Sequence, residues 1–277
     1  MRVLAPLRRI TTFGGPLSMR DRYRWLMTFR AWQKEAMQES VPAVSSPDIV
    51  AIVLSYRRPY NIDAIVRTLL KTPSVAKVII SNNNPEFRML DWISVRDSKI
   101  TLIEQVTEKP AHIRFSIAAR ENEYTKFLVI DDDLFLRPSQ LETLCRALHL
   151  DPSRPYGVTG QVYDSWRGML YHNINERTQK VDILNRVYAF TSEHLENFFT
   201  IVRQADYRPS VEQWKHSLWD DLFLSFSGAT PQVIFTGKYL GCPSESREGI
   251  AAWRAKDFFR LRLPILLMLR KMRPQKS

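Results

Sequence analysis

Alternating strand and helix patterns constrain the fold of this chain more than any other feature. Ile49–Leu54 is a continuous apolar run rich in β-branched residues, as expected of a strand buried on both faces, and Phe127–Ile130 is a second apolar run. Helical spacing follows in Asn61–Leu70, and further short strands are predicted at Lys77–Ile80 and Ile100–Ile103. The pattern predicts an α/β fold.

Polar residues follow these predicted strands, and ligands of such sheets bind at the carboxyl ends of strands. The strongest signal is Asp131-Asp132-Asp133, which comes directly after Phe127–Ile130. Aspartate is depleted in strands and costly when buried unpaired, and three adjacent carboxylates repel one another unless a cation lies among them. Carboxylates with substrate phosphates are typical ligands of Mn²⁺ or Mg²⁺. The alternative is a solvated acidic turn.

Two other polar segments have both a functional and a structural interpretation. Asp220-Asp221 follows Trp219 at the start of a helical run, where the helix dipole alone favours carboxylates. The functional alternative is a base or charge stabiliser that faces an acceptor. Asn82–Asn84 precedes Pro85 and could line a pocket or simply form a turn.

The positive charge lies at the two ends of the chain. The formal net charge is +11, residues 1–40 carry eight Lys or Arg against three Asp or Glu, and residues 247–277 carry nine against two. Nucleic-acid enzymes spread positive charge along a groove, so nucleic acid is not an expected partner. Basic ends favour an anionic membrane surface, and the alternative is a pair of solvated tails. No apolar run is long enough for a membrane span or an export signal, which predicts a cytoplasmic protein, free or peripheral on the cytosolic face of a membrane.

Three segments are predicted. Residues 1–47 form a basic helical appendage, because Arg20–Met37 has helical spacing and a breaker stretch with Pro42 and Pro47 follows. Residues 48–258 form the α/β domain that carries the polar clusters. Residues 259–277 form a basic amphipathic tail, which either lies in a membrane interface or packs back on the domain as an ordinary helix.

Several motifs occur in a fixed order along the chain: Val53-Leu54-Ser55-Tyr56-Arg57-Arg58-Pro59, Lys77–Asn83, Leu128–Asp133, Asp220-Asp221-Leu222, Ser246-Arg247-Glu248-Gly249 and Trp253-Arg254-Ala255. Together they resemble the GT-A glycosyltransferases, the nucleotide-diphospho-sugar transferase fold, and most closely the exostosin-type C-terminal catalytic domain. That family has a Tyr-x-Arg after the first strand, an Asn pair after the second, an Asp-Asp-Asp metal motif and a late Asp-Asp that opens a helix. The resemblance covers about residues 48–258 and implies that they form a catalytic domain with a mixed, mostly parallel sheet flanked by helices.

The resemblance implies a metal-dependent hexosyl- or N-acetylhexosaminyltransferase of polysaccharide or glycolipid biosynthesis. It would move a sugar from a nucleotide-sugar, with a UDP-sugar favoured, to a hydroxyl of a glycan or lipid-linked acceptor, with retention. The metal would be Mn²⁺ or Mg²⁺, held by Asp133 and Asp131. Asp221, Asp220 and Arg254 would be catalytic. The substrate-binding residues carried over are Leu54, Ser55, Tyr56, Arg58, Asn82, Asn83, Asp131, Asp132 and Arg247.

Two alternatives come from other functional classes. In a phosphatase of the haloacid dehalogenase type, Asp131 and Asp133 would be nucleophile and acid, and Asp220-Asp221 would bind Mg²⁺. That class has Thr or Val where this chain has Phe135, and its nucleophile usually follows the first strand. The other alternative is a membrane-docked binding module without catalysis, which would have no need of Asp221.

Overall fold

The computed structural model describes residues 18–211, 217–246, 254 and 257–272. In this part of the chain, nine strands form one mixed sheet in the order β3-β2-β1-β4-β9-β6-β10-β8, with β7 paired to β6 and a separate β5–β11 pair. The strands are β1 Ile49–Ser55, β2 Val75–Asn82, β3 Ile100–Glu104, β4 Lys126–Ile130, β5 Leu134–Phe135, β6 Tyr156–Asp164, β7 Met169–Ile174, β8 Gln179–Lys180, β9 Ile183–Thr191, β10 Gln232–Val233 and β11 Leu240–Gly241. The helices are α1 Met19–Gln38, α2 Pro59–Leu70, α3 Ile113–Ala118, α4 Pro138–Leu150, α5 Ser192–Gln204, α6 Asp220–Ser225 and α7 Phe258–Met272.

The predicted α/β class and the mostly parallel mixed sheet are confirmed. Strand β1 pairs in parallel with β2 and β4, and β2 pairs in parallel with β3. Antiparallel β9 then separates β4 from β6, so that β1 to β4, β6 and β10 share one direction. All seven residues of β1 are buried, which explains its uninterrupted apolar sequence.

Two hydrophobic clusters cover the two faces of the sheet. Ile49, Ala51 and Val53 of β1 belong to one cluster, and the alternating residues of the same strand belong to the other. Helices α1, α2 and α4 cover the first face, whereas α3, α5, α6 and α7 cover the second. Cys145 and Cys242 are buried free thiols.

Helix α1, in the segment predicted to be an appendage, packs into the first cluster. Phe29 is fully buried, and its ring lies 4.9 Å from that of Phe135 in a T-shaped contact. The indole Nε1 of Trp25 donates a 3.0 Å hydrogen bond to the carbonyl of Gly241. The helix of residues 1–47 is therefore joined to the sheet by its apolar face.

Helix α7, at the predicted basic tail, packs into the second cluster. Arg262, Ile265, Leu266 and Leu269 are buried, so residues 258–272 take the alternative of a helix packed on the domain. Pro264 lies within the helix and is exposed. In the described ranges, no helix is both long and apolar enough to cross a bilayer.

Candidate functional site

The candidate site lies where the parallel strands end. Ser55, Asn82 and Ile130 are the last residues of β1, β2 and β4, and parallel pairing places them along one edge of the sheet. Asp131, Asp132 and Asp133, hereafter the aspartate triad, continue from β4 at this edge. The sequence thus folds so that the strand-end polar clusters predicted for β1, β2 and β4 converge.

Asp132 is bound by the segment that follows β1. Arg58 donates from Nη1 to Oδ1 of Asp132 at 2.7 Å, and the backbone N–H of Tyr56 donates to Oδ2 at 3.2 Å. Arg58 also donates from Nε to Oγ of Ser244 and from Nη2 to its carbonyl. Burial raises the pKa of Asp132, although Arg58 opposes the shift. Arg58 is therefore buried between the triad and residues 243–246 and hydrogen-bonds to both, and its implied role in substrate binding stays a prediction.

Asp131 and Asp220 are joined by Arg114, which is buried. Nη1 of Arg114 lies 2.8 Å from Oδ1 of Asp131, and its Nε lies 3.5 Å from Oδ2 of Asp220. Burial raises the pKa of Asp220 to about 7 and that of Asp131 to about 6, while Arg114 acts in the opposite direction on both. The Asp131 side chain is 30% exposed and that of Asp220 only 5%, so Asp220 is the more completely removed from water.

Asp133 has the oxygen best suited to a metal ion. Its Oδ2 lies 3.4 Å from Nη2 of Arg58, whereas its Oδ1 is buried and has no hydrogen-bond partner. A buried carboxylate oxygen without a partner is costly, and a cation would remove that cost. No three His, Cys, Asp or Glu side chains converge in the described ranges, but an ion held by one or two carboxylates together with substrate phosphates does not need such a cage. The residues present therefore fit Mn²⁺ or Mg²⁺.

Asp221, which the resemblance implies to be catalytic, is held by an arginine of another helix. Its Oδ1 and Oδ2 each accept a 2.8 Å hydrogen bond from Arg262 of α7, and both side chains are buried. This bidentate ion pair fixes α6 against α7, so the carboxylate of Asp221 is part of the scaffold. Asp220 is the member of the pair that faces the triad, and its Oδ2 has no hydrogen-bond partner.

Other residues predicted to bind the nucleotide-sugar lie at the end of β2 and at the end of β1. Asn82 donates from Nδ2 to Glu104 and to the carbonyl of Phe87, so its side chain holds the turn after β2. The N–H of Asn83 donates to the carbonyl of Ser55 at 2.7 Å, and Oγ of Ser55 is buried without a partner. The other predicted donor residues of the β1 end are Leu54, which is buried, and Tyr56, whose hydroxyl donates to Glu108.

Of the two predicted tail arginines, only Arg254 lies among the described residues. Arg247 lies outside the described residues, and Arg254 is described as exposed. The catalytic role implied for Arg254 and the substrate-binding role implied for Arg247 stay predictions.

Sequence reasoning missed the arginines that neutralise the site. Arg114 and Arg262 each bind an aspartate, and Arg186 of β9 accepts the N–H of Asp131 on its carbonyl. Arg114 looks like a surface residue of a helix, and Arg262 looks like one of several cations in a basic tail, so neither carries a local signal.

No protein-family model matches this chain, and no curated protein matches it either.

Proposed function

We propose that this protein is a metal-dependent glycosyltransferase of the GT-A type that transfers a sugar from a UDP-sugar to a hydroxyl of a glycan or glycolipid. The observation that carries the proposal is a pair of buried carboxylate oxygens without a hydrogen bond, one on Asp133 and one on Asp220, the latter 3.5 Å from Arg114, at the carboxyl edge of the parallel strands. The oxygen of Asp133 suits a divalent ion, and that of Asp220 suits a proton or a developing positive charge. The sheet order, with antiparallel β9 beside β4, is compatible with a GT-A fold.

The residues of the chain have distinct tasks in this proposal. Asp133, with Asp131 beside it, would hold Mn²⁺ or Mg²⁺, which supplies charge neutralisation for the departing diphosphate. Arg114 holds Asp131 and Asp220 on opposite sides of one guanidinium, which fixes the distance between the metal side and the acceptor side. Of the two aspartates implied to be catalytic, Asp220 would be the charge stabiliser beside the anomeric carbon of a retaining transfer.

The proposal is tested by a thermal-shift panel of UDP, GDP, CMP and their sugar conjugates, each with and without Mn²⁺. A ligand that binds only the folded state raises its melting temperature with the logarithm of ligand concentration. We expect a Mn²⁺-dependent shift with UDP and UDP-sugars. The absence of any nucleotide response would contradict the proposal.

The two alternatives are separated by activity assays on the same protein. Hydrolysis of p-nitrophenyl phosphate with Mg²⁺ and no nucleotide response would favour the phosphatase. Nucleotide binding without transfer of sugar to any acceptor would favour the binding module. In the structure, Asp131 is paired with Arg114 and follows the fourth strand of the chain, which is an unfavourable position for a phosphatase nucleophile.

We also propose peripheral association with an anionic cytosolic membrane surface, because α7 keeps an exposed mixed face although it packs on the domain. Phe259 is 51% exposed and Leu267 38%, and Arg260 and Lys271 are exposed on the same helix. Interfacial helices combine such side chains. Replacing Phe259 and Leu267 by Ser should weaken co-sedimentation with anionic vesicles, whereas Leu150→Ser, at an 86% exposed residue of α4, should not. Equal binding by both variants would contradict this location.

A further inference from the structure

Arg186 has a backbone conformation that is unusual within a strand. The pairing of β9 with β6 shifts register between Gly157 and Thr159, so β9 contains a bulge, and Arg186 lies in it with φ 64°. In the described ranges, the other non-glycine residues with positive φ are Asp206, Ser217 and Asp257, and all three lie in turns. Left-handed backbone is unfavourable for a residue with a β-carbon, and bulges often redirect a side chain next to an active site.

The bulge places Arg186 beside the aspartate triad. Its carbonyl accepts the N–H of Asp131 at 3.0 Å, and Nη1 of its guanidinium lies 2.7 Å from Oε2 of Glu245. Burial alone would lower the pKa of Arg186, but the carboxylates of Asp133 and Glu245 raise it above its ordinary value. The Arg186 side chain is 21% exposed, whereas that of Arg58, whose Nη2 lies 3.4 Å from Oδ2 of Asp133, is 7% exposed. Arg186 is therefore the more accessible of the two arginines near Asp133.

We propose that Arg186 binds the diphosphate of the nucleotide donor and that Glu245 holds its guanidinium until the donor arrives. A guanidinium has five N–H donors in a planar fork that matches phosphate oxygens, and the pair with Glu245 engages one of its amino groups. Diphosphate at Asp133 with its divalent ion would lie within the same group of charges. The inference rests on the proposed function and adds to it a residue outside every motif of the sequence.

The test measures calorimetric affinity for UDP, inorganic pyrophosphate and uridine, all in Mg²⁺. Arg186→Gln should weaken binding of UDP and pyrophosphate by at least about tenfold and leave uridine unchanged, because the lost contact is to phosphate. Glu245→Gln should strengthen UDP binding, since it removes the competing carboxylate. The matched control is Arg154→Gln, because Arg154 is 18% exposed, lies 2.7 Å from Asp151 and belongs to the turn before β6, at the opposite edge of the sheet. That variant should bind UDP as wild type does.

A second variant, Arg186→Gly, separates binding from structure. Glycine adopts positive φ without steric cost, so the melting temperature of Arg186→Gly should equal or exceed that of Arg186→Gln. The UDP affinity of Arg186→Gly should fall as much as that of Arg186→Gln. Melting temperatures of both variants far below that of Arg154→Gln would overturn the inference in favour of a structural role. Wild-type UDP affinity in both variants would overturn it and leave the proposed function standing. Failure of the wild-type protein to bind UDP or pyrophosphate would overturn both.

Discussion

The aspartate triad and the Asp220-Asp221 pair look alike in sequence, but arginines neutralise them in different ways. In the pair, Arg262 binds both oxygens of Asp221, and the ion pair is buried between two helices. In the triad, Arg114 pairs with Asp131 and Arg58 is shared between Asp132 and Asp133, and Oδ1 of Asp133 is left without a hydrogen bond. A carboxylate with both oxygens bound by one buried arginine belongs to the scaffold. A carboxylate with one unpartnered oxygen at a strand end is available to a ligand.

The largest effect on stability is expected where the ion pair is complete. Arg262→Met leaves the Asp221 carboxylate buried without its partner, which should cost about 3–5 kcal/mol in the free energy of unfolding, measured by urea denaturation. The double variant Arg262→Met with Asp221→Leu should recover much of this loss, because no charge is left buried. The control Arg260→Met, at a residue whose side chain is 84% exposed, should change stability by at most about 0.5 kcal/mol. A loss no larger than that of the control would show that Asp221 is not held in this way.

The stability experiment tests whether Asp221 has a structural role, and a kinetic experiment tests whether Asp220 has a catalytic one. Asp220→Asn should lower turnover by about 100-fold and leave the donor dissociation constant unchanged, since its carboxylate would act mainly in the transition state. Steady-state kinetics with UDP-sugar and calorimetry with UDP measure the two quantities. Asp97→Asn is the matched control, because Asp97 is exposed. Near-normal turnover in Asp220→Asn would remove Asp220 from the site.

The smallest effect is a difference in pH dependence. Burial raises the folded-state pKa of Asp220 to about 7, above its ordinary value of 3.8, so the folded protein holds this proton more tightly than the unfolded chain. The contribution of Asp220 to stability is therefore fully present below about pH 4 and is lost as the pH rises to about 7. Relative to wild type, Asp220→Asn should therefore gain stability as the pH rises over this range. Urea denaturation from pH 4 to 8 checks this, and a constant difference between the two proteins would contradict the raised pKa.

The parts of the molecule that could be predicted from sequence are those fixed by local patterns. The apolar runs predicted β1 and β4, and the order of strand and acidic motif predicted where the triad lies. The partners of the aspartates could not be predicted, since Arg262 is 41 residues from Asp221 and Arg58 is 74 residues from Asp132. Distance along the chain also explains why the packing of α7 on the domain could not be predicted. The cations of the tail indicated a membrane surface, whereas Arg262 is buried because it pairs with an aspartate of another helix.

The central claim is that the unpartnered oxygen of Asp133 holds the divalent ion of the donor site. Calorimetric titration of UDP with and without Mn²⁺, into wild type, Asp133→Ala and the exposed control Asp97→Ala, tests it most directly. Wild type and the control should show Mn²⁺-dependent binding, and Asp133→Ala should lose that dependence. The fold of Asp133→Ala should stay as stable or become more stable, because repulsion among three carboxylates is relieved. Binding of UDP by Asp133→Ala in Mn²⁺ as tight as in wild type would contradict the account.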